Sequence, residues 1–455
     1  MKFHILVLCG SLFVLFSLTA VSQPGLTTTR IEDAQTAERV KAEFLHAWSA
    51  YKRYAWGHEH LKPLSRSYDD WHTESLMTTA VDALDTMILM GLDEEAGKTR
   101  DFIVENLSFD KDVEVKNFEI TIRLLGGLLS GYQLMRDDRL LKLADDLGRR
   151  LMPVFDSPTG MPYMYVNLRT GKVREAVSNP AEIGTLLIEF GTLSKLTGKP
   201  VYYEKAKRAL VELFNRRSPL GLIGERINVE TGVWVDSSSH VGGRIDSYYE
   251  YLLKCWRLFD DKDCEQMWKE SVAALHKHVA HEVPSGLWYG RVDMMTGERK
   301  KTWFGGLEAF LPAVLALGGD LDRAKRLQES SYAMWNVAGL EPELLDYSTM
   351  KILNPGYPLR PEIMESAYYL LFFTGDSRYR EMGRTFLESL IKYSRTENGY
   401  AAFRNVETKE QKDEMESFFL AETLKYLYLI FAPRETIDLD TIVFNTEAHP
   451  IRRTW

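Results

Sequence analysis

The stretch Ser157-Pro158-Thr159-Gly160-Met161-Pro162-Tyr163-Met164-Tyr165-Val166-Asn167-Leu168-Arg169-Thr170-Gly171 decides the fold. Pro-Thr-Gly and Thr-Gly are turn chemistry, and the residues between them alternate, so the stretch reads as turn, short strand, turn and returning strand. The same order recurs. Ser218-Pro219-Leu220-Gly221 leads through Ile227-Asn228 to Thr231-Gly232, and Pro284-Ser285-Gly286 leads through Trp288-Tyr289 and Val292-Asp293 to Thr296-Gly297. A degraded copy runs from Asn398-Gly399 through Phe403 and Val406 to Thr408. The Gly-to-Thr offset is 10, 10, 10 and then 9, and the Thr positions are 61, 65 and 112 apart, the last near two periods.

Between these elements, stretches such as Ala181–Gly198, Val201–Phe214, Asp246–Phe259 and Glu365–Phe373 carry apolar residues at helical spacing. The unit is two helices plus a β-hairpin, repeated about every 55–65 residues. A unit of that size cannot bury both faces of its helices alone, so neighbours must stack. The chain has room for about seven helix pairs. The sequence therefore predicts an all-α fold: a closed ring of helix hairpins decorated with short β-hairpins. An open solenoid is the rival. No Pro/Ser-rich linker or composition break divides the 455 residues, which favours one closed domain.

Hydrophobic residues make up 45% and charged residues 27%, which excludes a disordered or collagen-like chain. With 56 Lys+Arg against 65 Asp+Glu the net charge is −9, so a nucleic-acid partner is not expected. At the start, Lys2 precedes an apolar run from Ile5 to Leu18, and Ala20 and Ser22 are small. Residues 1–22 read as a signal peptide cleaved before Gln23, with a retained anchor as the rival reading. An exported protein follows, periplasmic or secreted, or in the secretory-pathway lumen if eukaryotic. Residues 23–40 read as a lead-in, and 41–455 as a single catalytic domain. The mature chain keeps Cys255 and Cys264, read as two free thiols with a disulfide as the alternative.

His58-Glu59-His60 looks metal-like, but its histidines are two apart where a helical zinc pair needs four. His276, His278 and His281 read as a solvated surface. The carboxylates are more informative, because several sit in apolar, aromatic runs that start helices. Glu119 and Arg123 are i,i+4 and share a face, as do Asp246 and Glu250 among three tyrosines. Glu362 and Glu365 share the first turn of a helix, and Glu422 lies in an aromatic run. Each alone is more often an ion pair or cap. Helix starts on one rim would aim them all into one cavity. Clustered carboxylates with arginines and aromatics suit glycoside hydrolysis, which needs an acid and a base, or a hard cation held by oxygen, or both.

The same runs resemble class I α-1,2-mannosidases, glycoside hydrolase family 47. The likeness extends from Ala47-Trp48 to the C-terminus. It is carried by His46 through Gly57, Asp82-Ala83-Leu84-Asp85-Thr86-Met87, Phe118-Glu119 through Leu129, Asp246 through Lys254, Arg360-Pro361-Glu362, Glu416 through Tyr428, and Phe444 through Pro450. The resemblance implies an (α/α)7 barrel plugged by a C-terminal β-hairpin. It implies a monomeric, Ca²⁺-dependent, inverting exo-hydrolase of terminal α-1,2-linked mannose, acting on oligomannose glycans or mannobiose. A lectin-like protein that binds mannose glycans with little turnover is the alternative. By motif position Glu119 would be the acid, acting through a water. Asp246 and Glu362 are the two candidate bases, with Glu362 favoured. Thr446 would bind Ca²⁺, and Glu343, Glu365, Glu422 and Glu447 would hold its waters or sugar hydroxyls. Arg123 and Arg360 would orient the carboxylates, Phe418 would stack on the sugar, and Arg244 and Glu250 would face substrate. Arg244 resembles an endoplasmic-reticulum-type subgroup, or else marks a disaccharide-cleaving enzyme. The family's disulfide positions look like Ala309 and Ser331 here, so that bridge cannot form.

Overall fold

The computed structural model describes Met1 and residues 24–455, with side chains from Glu32 onward. The signal segment expected at 1–22, its cleavage site and Cys9 lie outside the described residues. Among those described, seven outer helices alternate with seven inner ones. The outer helices are Pro24–Tyr54, Asp93–Asn106, Asp138–Leu151, Pro200–Phe214, Lys262–Ala274, Leu321–Ala338 and Arg378–Tyr393. The inner helices begin at Thr78, Asn117, Pro180, Asp246, Leu307, Glu362 and Phe419. Each inner helix packs on the next, and the last, Leu424–Phe431, packs on both Pro24–Tyr54 and Arg378–Tyr393. The ring is thus closed, an α/α toroid, as the repeat required.

The outer helices show why the pattern works. Asp137, Asp261 and Asp320 cap three of them, each accepting the N–H of a residue in the first turn. Their buried residues fall on one stripe, whereas Asp246–Phe259 and Glu362–Thr374 are buried nearly all round, as befits the inner wall. Pro24–Tyr54 is one continuous helix that runs through the boundary expected at 40/41. Its Asp33 pairs with Arg384 at 2.8 Å and Arg380 at 3.1 Å, and Ala37 and Val40 are buried.

The hairpins stand where the repeat placed them: Tyr165–Asn167 with Val173–Arg174, Arg226–Asn228 with Val233–Asp236, Arg291–Asp293 with Arg299–Lys301, and Ala402–Asn405 with Glu410–Lys412. Each turn is built on an Asn or Asp whose side chain accepts the N–H groups two and three residues on: Asn167, Asn228, Asp293 and Asn405. A fifth copy, Leu344–Asp346 with Lys351–Asn354, fills the double-length gap. It escapes the Thr-Gly pattern because Met350, at φ 57°, takes the left-handed position that Gly171, Gly232 and Gly297 occupy elsewhere.

Two readings are corrected. The helix expected over 181–198 is broken into Pro180–Gly184 and Leu187–Thr197. At the break the Thr185 hydroxyl donates to Ser247 Oγ at 2.8 Å, and Gly184 lies so close to Tyr248 that a Cβ would come within 2.7 Å of its ring. The three histidines near 278 are half-buried rather than solvated. His276 and His278 lie in a π-helical turn, whereas His281 is on strand Ala280–Val283. His276 and His281 bond the hydroxyls of Tyr289 and Tyr347. Cys255 and Cys264 are buried free thiols. No helix of the described residues is long and apolar enough to cross a membrane.

The C-terminal hairpin, Ile442–Phe444 with Pro450–Arg452, closes one end of the ring. It packs on Asp246–Phe259 through its first strand and on Gly126–Met135 through its second. Asn445 Nδ2 donates to Ile122 O and Glu189 Oε1, both at 2.8 Å. His449 Nδ1 meets Asp85 Oδ2 at 2.6 Å, and Lys425 holds both Asp85 at 2.7 Å and the Ala448 carbonyl at 2.6 Å. Gly126 and Gly127 permit this approach, since a Cβ on Gly126 would lie 2.5 Å from Asn445 Nδ2.

Candidate active site

The ring leaves a cavity of about 480 Å³ above the hairpin. Inner helices deliver their first turns to it. Glu119 comes from Asn117–Ile120, Asp246 opens Asp246–Phe259, and Glu362 opens Glu362–Thr374 with Glu365 one turn on. Glu422 projects from a π-helical turn, Phe419–Thr423, and Arg123 from another, Thr121–Leu125. Such turns re-aim a side chain that a regular helix would place elsewhere. The hairpin loop supplies Thr446 and Glu447. All of these line the cavity, with Arg244, Glu250, Arg360 and Phe418. Helix N-termini converging on one space offset part of the carboxylate charge.

Glu343 is placed differently from the rest. It does not line the cavity; it grips Arg360 in a fork, at 2.5 and 3.0 Å. Arg244 sits at φ 77°, and its half-exposed side chain is held by Glu225 at 2.5 Å. Two lining groups escaped the sequence reading. Glu182 is buried at the start of Pro180–Gly184, and Lys116 bridges Glu182 at 2.7 Å and Glu119 at 3.5 Å. Within the expected helix, Glu182 gave no signal of its own. Only its early position after Asn179-Pro180 marked it as first-turn.

The acid–base balance differs sharply across the cavity. Burial pushes Glu119 upward, but the charges of Arg123 and Lys116 outweigh it and leave the carboxyl below its ordinary value. Arg123 binds Glu119 through Nη2 at 3.1 Å, is in contact with Glu447, and lies 3.6 Å from Asp82. Burial, reinforced by Glu308, Glu362 and Glu250, pushes Asp246 up to about 8 even though Oδ1 accepts the Ser247 N–H. Glu362 is pushed to about 7 by burial, with Arg360 opposing, and its Oε2 is buried without a partner. Glu365 and Glu447 are each pushed to about 8 by burial, against the pull of Lys254 and Arg123 respectively. Burial and three neighbouring carboxylates raise Glu422 well above its ordinary value. The Arg123 guanidinium stands 5.8 Å from the Phe418 ring.

Comparison with known proteins places the chain in a family. The model of Glycosyl hydrolase family 47 matches residues 43–453. The chain is 38% identical to the mouse ER degradation-enhancing alpha-mannosidase-like protein 2, over 99% of this chain and 83% of that one. It is also 38% identical to the rat endoplasmic reticulum mannosyl-oligosaccharide 1,2-alpha-mannosidase, over 94% and 70%. The solved structure of an alpha-1,2-mannosidase from Trichoderma reesei superposes with a TM-score of 0.86 at 30% identity, covering 92% of this chain and 99% of that one. The cavity therefore sits in a toroid whose sequence and shape agree along almost their whole length with one group of enzymes, and the chain belongs to glycosyl hydrolase family 47, the class I α-1,2-mannosidase family.

Proposed function

We propose that the chain is an inverting exo-hydrolase that removes terminal α-1,2-linked mannose from oligosaccharides, with Ca²⁺ as its resident cation. The observation that carries this reading is the convergence of Glu119, Asp246 and Glu362, from three separate inner helices, on one cavity. Carboxyls on separate walls leave room between them for a water, the arrangement an inverting hydrolase uses. Glu119 is the acid and passes its proton through a water. In the free protein Arg123 and Lys116 keep it ionised, and a seated sugar deepens the burial that pushes its pKa upward. Glu362 is the better placed base, because its Oε2 is unpartnered whereas Asp246 Oδ1 already accepts a backbone N–H. Arg360, braced by Glu343, keeps Glu362 in place, and Phe418 offers a face to the sugar.

The residues present fit a hard cation. Glu250, Glu365, Glu422 and Glu447 crowd one end of the cavity, and burial and mutual repulsion hold Glu365, Glu422 and Glu447 toward the neutral form. Among the described residues no three His, Cys, Asp or Glu side chains converge as direct ligands. By its place in the family's Phe444–Pro450 motif Thr446 would hold the cation through its oxygens, with these glutamates holding waters around it. When bound, the cation supplies charge that orients sugar hydroxyls and favours ring distortion.

A glycan-binding protein with little turnover is a second reading. It is favoured by the depressed pKa of Glu119, which leaves the free protein without a ready acid. Mannose release from α-1,2-mannobiose, measured with chelator and with Ca²⁺ restored, separates the two. Full activity after metal stripping overturns the Ca²⁺ assignment, and binding without release establishes the second reading. NMR of the first-formed sugar should show β-mannose before mutarotation. Initial α-mannose would mean retention. The relatives named for the endoplasmic reticulum support a secretory-pathway address, and light scattering should find a monomer.

A further inference from the structure

One helix hairpin of the ring carries two cysteines that the sugar chemistry does not use. Cys255 lies on the inner helix Asp246–Phe259 and Cys264 on the outer helix Lys262–Ala274, and the two helices pack on each other. Both residues are fully buried. Their thiols face each other across the hairpin in hydrogen-bond contact, and both lie close to the Tyr203 hydroxyl. The turn between them is tight. Asp260 takes the left-handed conformation at φ 54°, and Asp261 Oδ1 caps the outer helix by accepting the Cys264 N–H at 2.9 Å. Tyr203 and Lys207 both hold Asp261, so the two sulfurs are brought together while still reduced.

The two sulfurs are not equivalent. Cys255 sits deep, on a helix buried nearly all round, and burial pushes its thiol well above the ordinary value. Cys264 lies in the first turn of a 13-residue helix, where free backbone N–H groups favour negative charge. The Lys207 ammonium stands 3.8 Å from Cys264 Sγ, although it also pairs with Asp261 and, at 3.2 Å, with Asp263. An ammonium beside a sulfur favours its attack as a thiolate. Access follows the same order. Asp260, Lys262 and Asp263 are exposed, so opening the first helical turn brings Cys264 to solvent before Cys255.

We propose that Cys255 and Cys264 form a reversible disulfide site, closed by exchange with a small-molecule disulfide. Cys264 gives up its proton and its sulfur bonds one sulfur of the small disulfide. The other small sulfur leaves as a thiolate and takes up a proton. Cys255 then loses its proton, attacks Cys264 Sγ and expels the second small thiol. Two protein thiols are thereby oxidised by two electrons, and one small disulfide is reduced to two thiols. The bridge ties residues nine positions apart, which restricts the unfolded chain. It also staples the inner helix that begins at Asp246 to its outer partner. The site is independent of the hydrolase reading, since neither sulfur lines the cavity.

The test places the reduced, folded full chain in buffers of rising glutathione disulfide. Exchange is stopped with acid, the chain is unfolded and alkylated, and peptide mapping locates each sulfur. Cys255 and Cys264 should pass from two alkylated thiols to one internal bridge, at a midpoint that does not depend on protein concentration. Cys255→Ala should stop at glutathione held on Cys264, and Cys264→Ala should leave Cys255 free. Thiols that stay alkylated in the most oxidising buffer, or that bridge only between chains, overturn the site. Glutathione taken up on Cys255 in the Cys264→Ala chain overturns the order of attack. The bridged chain should melt a few degrees above the reduced one, with no such difference between buffers for Cys255→Ala. Equal melting of bridged and reduced wild type overturns the staple.

Discussion

Glu119 shows how far a single residue's chemistry is set by its neighbours. The sequence put Arg123 on its helical face but could not weigh that charge against burial. The structure adds Lys116, and the two cations win. Glu119→Gln keeps the shape and removes the proton, so kcat should fall by at least ~10²-fold while calorimetric sugar binding persists. A variant that fails to fold would make the residue structural instead. Glu362→Gln should abolish release and keep binding, with Asp246→Asn doing less harm; the reverse order would make Asp246 the base. Lys116 and Glu182 were not legible, because a charged residue at a strand end or in a helix reads as solvated until the ring brings it inward.

Among the elements, the C-terminal hairpin is the one that joins stability to the site. Its His449 is held by Asp85 and lies 3.4 Å from Asp82. Burial alone would lower the imidazole's pKa, but these carboxylates raise it to about 9 from an ordinary 6.5. A folded value above the unfolded one means stabilisation that is complete below about 6.5 and lost as pH rises through about 9, on the order of 3 kcal/mol. Asp85 works in the opposite direction. Lys425 and His449 outweigh its burial and hold it below 3.8, so its contribution is present above that value and fades in acid. Thermal unfolding scanned from pH 7 to 10 should show the wild type losing stability faster than His449→Gln; parallel curves would refute the assignment. Gly126→Ala should cost about 1–3 kcal/mol by overpacking against Asn445, and should reduce mannose release with it. The repeat itself was legible because Asx turns leave fixed Asn, Thr and Gly spacings. The copy with Met350 was missed because, although Met350 takes the left-handed position just as Lys409 does in the copy that was read, no turn dipeptide such as Asn398-Gly399 opens it.

At the scale of the whole molecule, closure is what makes the helix pairs stable. Limited proteolysis should find one cooperative unit, and two stable halves would contradict the ring. Removing residues 23–40 should lower the melting temperature clearly, since it leaves Arg380 and Arg384 without Asp33 and uncovers the faces that Ala37 and Val40 bury. The ring size was legible from the period. Which residues would meet across the ring was not, because contacts such as Lys425–Asp85 join segments hundreds of positions apart. That separation has a further meaning in time. The floor of the cavity is the hairpin at 442–452, and Asp82, Asp85 and Arg123, which surround it, are all made far earlier in the chain. Until it arrives, their charges surround an open hole. A chain cut near Leu439 would therefore lack the floor of the cavity, and proteases should degrade it faster than the full chain. Synthesis order alone keeps the cavity without a floor until the hairpin is in place.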